Sequence, residues 1–548
     1  MKTTIRNSKS LLAAVLACLI STSMLGTMPA QALGEQAGTD PPVPNGTAGT
    51  DPEQVFKLIV RTPDDNTTFL LPTSSYLHGG VGDKTYDWAI DWGDGVTEVR
   101  TGTSSWDGGI PHTYASAGDY TITITPNGSV EAWLGAFGFG LSLDGSSSRA
   151  NKNLLLGVPS FITPQMTRTN AQIEGNEPAP DYEWYFTFNY CFSLTEAPVF
   201  AGWDNISTVG NLFACNMFLC CMNLKELPQG FTFPQGLTMA GDWFAAEMFN
   251  ACISLSQLPN GCNLPQNLTK VGDGFANYMF DTCTNMTILP EGFNLPKGLT
   301  EVGNGFASSM FVGCSSLVEL PAGFNMPKGL TEVGNGFASS MFSYCTSLVE
   351  LPAGFNLPQG LTRVGDNFAF TMFRRCTSLV GLPEGFNLPK NIVIVGSDFA
   401  GYMFYECGCN TFQINDEFCF PAGIPSSSRN AFNMTFAFSS SVPIQIRTAA
   451  SIIGDCSTPS LRRYTFDDRF TDIDNIDIKW GGGLIVLIPG TGDLDGDGVV
   501  TMDEVLTTAR VAIGGAILTP EQLAVIDMDS DRAITMADVM RVYQMAIL

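Results

Sequence analysis

Asp493, Asp495 and Asp497 stand two residues apart, Gly498 follows, and Glu504 closes a twelve-residue span. Alternating carboxylates on a loop that turns at a glycine supply the six to eight oxygens that Ca2+ takes. Asp493, Asp495 and Asp497 fill positions 1, 3 and 5. Val499 offers its carbonyl at position 7, Thr501 serves position 9 directly or through water, and Glu504 binds in bidentate fashion at position 12. A solvated acidic turn would leave this spacing unexplained. The arrangement recurs 34 residues later with Asp527, Asp529, Asp531, the Ala533 carbonyl, Thr535 and Asp538. Arg532 stands where the first loop has Gly498, so that turn bears the cost of left-handed backbone and the second site is expected to be weaker. The sequence predicts two structural Ca2+ sites.

The elements around these loops have a definite order. Each loop feeds an amphipathic helix, over 502–513 and 536–547, and only a short helix starting at Thr519 precedes the second loop. Two EF-hand-type loops, each with an outgoing helix, resemble a type I dockerin, and the match covers 492–548. The resemblance implies that calcium orders two helices that grip a cohesin domain on a scaffold or cell surface. Its recognition positions would fall on Met502, Asp503, Ala509 and Arg510 in the first unit. In the second they would fall on Met536, Ala537, Tyr543 and Gln544. Many dockerins carry hydroxyl pairs where this chain has Met502-Asp503 and Met536-Ala537, so which cohesin it meets stays open.

Composition narrows what the remaining residues can do. In 548 residues, 53 acidic side chains face 27 basic ones, a formal charge of −26 that argues against nucleic acid and anionic membranes. His78 and His112 are the whole histidine supply, too few for most histidine-based catalysis or zinc binding. Lys2, Arg6 and Lys9, an apolar run over 11–25 and Ala30-Gln31-Ala32 have the form of a signal peptide, 1–32. Val15-Leu16-Ala17-Cys18 loosely resembles a lipoprotein cleavage box. No later run is apolar and long enough to span a bilayer, so a secreted chain is expected.

The chain then reads in blocks. Residues 33–54 are a linker with almost no large apolar side chains. Period-two runs over 55–129, with Gly/Asp turns between them, predict a small antiparallel β-sandwich. Asp91-Trp92-Gly93-Asp94-Gly95, His112-Thr113-Tyr114 and Ala117-Gly118-Asp119-Tyr120 resemble PKD-like immunoglobulin-fold modules. In such modules these residues shape turns, and Asp87, Asp91 and Asp94 are read as turn-capping carboxylates ahead of a cation site. Residues 130–183 are read as a connector and N-terminal cap, 421–483 as a C-terminal cap and 484–491 as a second linker.

Residues 184–420 repeat. Gly298–Phe311 and Gly329–Phe342 share the same fourteen letters, GLTEVGNGFASSMF. The Cys after each Met-Phe marks a 31-residue period at Cys221, Cys252, Cys283, Cys314, Cys345, Cys376 and Cys407. Such a period predicts a solenoid whose units bury their apolar faces only by stacking. Leu317, Val318 and Leu320 are expected to form the strand of the unit. Phe337, Met341 and Phe342 are spaced as one or two helical turns would place them. Seven intervals at about 4.8 Å would give a ladder about 34 Å long. The pattern resembles the leucine-rich repeats of BspA-like bacterial surface proteins.

The ladder cysteines are expected to be free buried thiols, with any bridge among Cys215, Cys220, Cys262, Cys409, Cys419 and Cys456, Cys409–Cys419 first. The repeating aromatics read as core and not as a sugar-stacking surface. The whole predicts a multidomain protein: a β-sandwich, a leucine-rich-repeat solenoid and a small all-α dockerin. It would be a non-catalytic binding or adhesion protein docked through calcium onto a cohesin-bearing scaffold, with an unnamed protein or glycan as ligand of the solenoid. The alternative is a carbohydrate-binding or glycoside-hydrolase component of a cellulosome-like polysaccharide-degrading complex. That would need two carboxylates about 5–10 Å apart in a cleft.

Overall fold

The computed structural model describes residues 55–73, 84–104, 108–128, 131–139, 151–405 and 407, with short pieces beyond. Six strands open it: β1 Phe56–Thr62, β2 Thr67–Thr73, β3 Thr85–Asp91, β4 Thr97–Thr103, β5 Gly108–Tyr114 and β6 Gly118–Pro126. Alternation sets their faces. On β1, Phe56, Leu58 and Val60 are buried while Lys57 and Arg61 are exposed. One sheet runs β4-β3-β6-β1 and takes β7, Leu155–Gly157, at its edge; β2 and β5 pair separately. Phe69, Leu71, Trp88, Ile90, Tyr114, Ile122 and Ile124 are buried in the core. Asp91 and Asp94 accept the N–H groups of Gly93 and Val96, each two residues on, as turn caps do.

The connecting segment serves both neighbours. Its β7 pairs with β1, and β8, Phe161–Ile162, lies parallel to β9, Val199–Phe200, in the first solenoid turn. The Phe137 ring lies 5.0 Å from Phe56 and 6.1 Å from Phe188. One apolar cluster therefore runs from Phe56 to Cys407.

The solenoid is held by columns of equivalent residues. Seven two-residue strands mark its turns, β10 Thr208–Val209, β11 Met239–Ala240, β12 Lys270–Val271, β13 Glu301–Val302, β14 Glu332–Val333, β15 Arg363–Val364 and β16 Ile394–Val395. Within each of two parallel sheets, a residue faces its equivalent 31 positions on. Phe306, Phe337 and Phe368 stack 5.4–5.5 Å apart, and Phe311, Phe342 and Phe373 stack 5.6 Å apart. Asn294, Asn325 and Asn356 form a polar column, each backbone N–H donating to the Oδ1 of the asparagine one turn before. A second column uses Asp242, Asp273, Asn304, Asn335 and Asp366 in the same way. A Cβ on Gly334 would come within 2.4 Å of the Asn304 Oδ1, which explains the glycine before each of these residues.

The ladder cysteines are buried free thiols, as are Cys215, Cys220 and Cys262; Cys409, Cys419 and Cys456 lie outside the described residues. The sequence missed one part of the ladder's chemistry. Each ladder thiol donates to a phenylalanine carbonyl of the preceding turn, as Cys345 Sγ does to Phe311 at 3.1 Å. A residue small enough for the stack also supplies a donor there.

Two expectations inside the unit fail. The strand is Glu332–Val333, while Leu317–Leu320 is irregular chain whose leucines point inward. Residues 335–344 are no helix. Alternate backbone donors reach neighbouring turns, while Ser339, Met341 and Ser343 donate three residues back, so the i→i−4 bonds of a helix do not form.

Candidate recognition face

In place of the helix is a ribbon whose backbone alternates in hand. Gly336, Ala338, Ser340 and Tyr344 have φ of 70°, 52°, 56° and 63°. Left-handed backbone costs an L-residue roughly 1–2 kcal/mol, and here bonds between turns offset it. The Ser340, Phe342 and Tyr344 N–H groups donate to the Phe370, Met372 and Arg374 carbonyls at 2.7, 2.9 and 2.7 Å. Thr371, Phe373 and Arg375 repeat this toward Gly401, Met403 and Tyr405. With Gly336, which donates to Asp366, four peptide groups of this turn point N–H toward the C-terminal turns, and Ala338 alone among 336, 338, 340, 342 and 344 donates the other way, to Phe306. The dipoles of the four add as in a helix and leave the carbonyl end partly negative.

That end lies in the first turn, where the Thr187 carbonyl accepts from Phe139 N–H at 3.1 Å. Lys152 is buried there, its Nζ 3.2 Å from Asn189 Oδ1. Burial lowers its pKa. Nearby, Arg168 makes a fully buried bidentate pair with Glu183. Burial pushes the Glu183 carboxyl up, and the Arg168 charge works against that.

The repeat letters build columns, and the departures from them gather on the ribbon. In the column that holds Ser309 and Ser340 in the two identical units stand Glu247 and Tyr278 on one side and Thr371 and Tyr402 on the other. Asp281 and Arg374 share a neighbouring column. Toward the N-terminal turns this makes an acidic cluster. Asn216 Nδ2 donates to Glu247 Oε2 at 3.2 Å, and Thr282 Oγ1 donates to Asp281 Oδ1 at 2.8 Å. Burial raises both carboxyls, Asp281 to about 7, and Glu247 adds to the shift of Asp281.

Toward the C-terminal turns the ribbon is cationic and aromatic. The Arg374 guanidinium lies 5.6 Å from the Tyr344 ring centre and 5.5 Å from that of Tyr405. Arg375 lies 5.3 Å from the Tyr344 ring, and its Nη1 donates to the Tyr344 hydroxyl at 3.4 Å. Phe370, Tyr402 and Tyr405 adjoin them, with ring centres 5.7–5.8 Å apart. The 31-residue alignment could have exposed these clusters, since each is a break in an otherwise repeating column.

Of the predicted calcium ligands, Asp538 alone is described. It is helical and fully buried, in the same short helical piece as Val539. Asp493, Asp495, Asp497, Val499, Thr501, Glu504, Asp527, Asp529, Asp531, Ala533 and Thr535 lie outside the described residues. So do Met502, Asp503, Ala509, Arg510, Met536, Ala537, Tyr543 and Gln544, and the signal peptide. The donor set fits Ca2+ by its chemistry, hard oxygens with carboxylates at loop positions 1, 3, 5 and 12. Among the described residues no helix is long and apolar enough to cross a membrane.

No protein-family model matches the chain, and no curated protein does. Among solved structures, a leucine-rich cell surface protein from Faecalibacterium prausnitzii A2-165 is similar at 16% identity. The similarity covers 57% of this chain and 83% of that one with a TM-score of 0.20. At that score no property passes from the one protein to the other.

Proposed function

We propose that the chain is a non-catalytic recognition protein that works outside the cytoplasm and binds its ligand on the ribbon face of the solenoid. The observation that carries this reading is the placement of the repeat-breaking side chains. Glu247, Tyr278, Asp281, Tyr344, Phe370, Arg374 and Tyr402 break columns on the ribbon, while the inward Phe, Met, Leu and Cys columns continue past them. Stacking alone would favour repetition in both places, and binding needs variation only where a ligand touches.

The C-terminal loops give this reading its attachment. With Ca2+ held by Asp493, Asp495, Asp497 and Glu504, and by Asp527, Asp529, Asp531 and Asp538, the two outgoing helices would present Met502, Arg510, Met536 and Tyr543 to a cohesin. The PKD-like segment then acts as a spacer between solenoid and N-terminus. Calorimetry of the full chain against a cohesin panel, with and without EDTA, tests the attachment. Titrations with EDTA should show no heat, and binding that survives the chelator sinks the calcium-ordered mechanism.

Glu247 and Asp281 support a second reading, glycoside hydrolysis, because two nearby carboxyls with raised pKa values are what a general acid requires. Reducing-sugar release across a polysaccharide panel separates the two. Turnover abolished by Glu247→Gln or Asp281→Asn would replace the binding reading with the enzymatic one.

A further inference from the structure

We propose that the cationic end of the ribbon binds an acidic polysaccharide, with Arg374 as the group that pairs with a carboxylate or sulfate of the sugar chain. This names the ligand class for the recognition face and rests on that reading.

The chain sets four of its described arginines beside carboxylates. Acidic residues outnumber basic ones 53 to 27. Arg61, Arg100, Arg168 and Arg363 each lie within ion-pair distance of a carboxylate, on Asp119, Glu98, Glu183 and Glu332. Among the described residues Arg374 has no such carboxylate, and its buried Nε has no hydrogen-bond partner. Tyr344 and Tyr405 hold its guanidinium from either side in the sequence of turns, so the fork is oriented before any ligand arrives. A planar, oriented fork suits bidentate contact with two oxygens of a carboxylate or a sulfate.

The choice of a glycan over a peptide follows from the backbone. A bound peptide strand would need free N–H and C=O groups along an edge. Here the Ser340, Phe342, Tyr344, Thr371, Phe373 and Arg375 N–H groups are all spent between turns. Recognition must use side chains. Phe370, Tyr402 and Tyr405 are half-buried and present ring surface beside the guanidinium, against which a sugar ring can pack.

The test is affinity electrophoresis of the full chain in gels cast with polygalacturonate, a sulfated polysaccharide, a neutral β-glucan or poly-L-glutamate. Retardation is expected with one or both anionic polysaccharides, and which of the two identifies the oxyanion. Neither the neutral glucan nor poly-L-glutamate should retard the chain. Arg374→Gln should weaken binding at least about tenfold, from one lost charge-assisted contact. Arg374→Lys should recover part of it, and both variants should keep the wild-type thermal transition. Any of these results would overturn the proposal: no retardation of the wild-type chain by either anionic polysaccharide, equal retardation by poly-L-glutamate, or binding indifferent to Arg374→Gln in a folded variant. Retention on a neutral glycan that Tyr278→Ala abolishes and Arg374→Gln does not would overturn the anion site while leaving the ribbon as the recognition face.

Discussion

The two ends of the ribbon handle charge in opposite ways. At the N-terminal end, Arg168, Glu183 and Lys152 are sealed, and each has a partner close by. Glu247 and Asp281, a few turns on, are pushed toward their neutral forms by burial. At the C-terminal end, Arg374 sits half-buried between tyrosines with no carboxylate in ion-pair reach among the described residues. The same backbone ribbon underlies both. The difference teaches that the fold constrains the backbone and the inward columns, and leaves the outward columns free to be polar, neutralised or charged. Sealed charges fix how the solenoid meets the strand region before it. The open charge has no such structural duty.

The contrast is broken most severely at the sealed end. Arg168→Ala would strand Glu183 with its carboxylate buried, at a cost of about 3–5 kcal/mol. Replacing both partners by apolar residues of similar size, Arg168→Met with Glu183→Leu, should cost much less. Urea melts of the single and double variants measure this. Equal loss in both would mean that the pair's shape matters more than its charge.

Asp281 offers a test whose sign depends on pH. Its folded pKa is raised to about 7 from an ordinary value near 3.8. The folded state therefore holds its proton longer than the unfolded state does. The stability tied to the neutral acid is fully present below about pH 4 and is lost as pH rises to about 7. At pH 8 the penalty reaches roughly 4 kcal/mol at most. Asp281→Asn should raise stability at pH 8, leave it near wild type at pH 4 and flatten the profile between them. A variant that follows the wild-type profile would show that Asp281 is ionised without penalty.

The sequence and the structure agree where the physics is periodic. The 31-residue period, the buried ladder thiols and the alternation of β1 follow from where apolar side chains recur, and burial enforces them. The ribbon was not legible. The spacing of Phe337, Met341 and Phe342 fits a helix as well as any alternative, and nothing local shows that their donors will reach other turns. The acidic and cationic clusters were hidden for a related reason. Asp281 and Arg374 are 93 residues apart in sequence, three repeat periods, so only setting the chain in 31-residue register shows that they share one column of one face. The proposed calcium loops are the reverse case. Their ligands are local in sequence, so the spacing alone carries the inference.

The inward columns respond more mildly than the sealed charges. Cys345→Ala removes a thiol donor and a small buried volume and should cost about 1–2 kcal/mol. The ladder should also be chemically silent. Burial pushes the Cys252 thiol up to about 12 and other ladder thiols well above their ordinary range. At pH 8 the described thiols should fail to react with a disulfide reagent until the chain is unfolded. Rapid reaction in the native state would show that the stack opens locally.

The smallest effect on stability belongs to Arg374. Two arginine–tyrosine contacts, worth about 0.5–1 kcal/mol each at a half-open site, are lost in Arg374→Gln. Against that, removing a buried Nε with no partner recovers a desolvation cost of about 1–3 kcal/mol. The two effects oppose each other and are of similar size, so the melting midpoint should move little in either direction. Arg168→Ala and Arg374→Gln each delete one guanidinium from the same solenoid. If both unfold the chain alike, the two ends are equally structural and the contrast is lost. If the first collapses stability and the second leaves it near wild type, then Arg374 is held in place for something other than the fold.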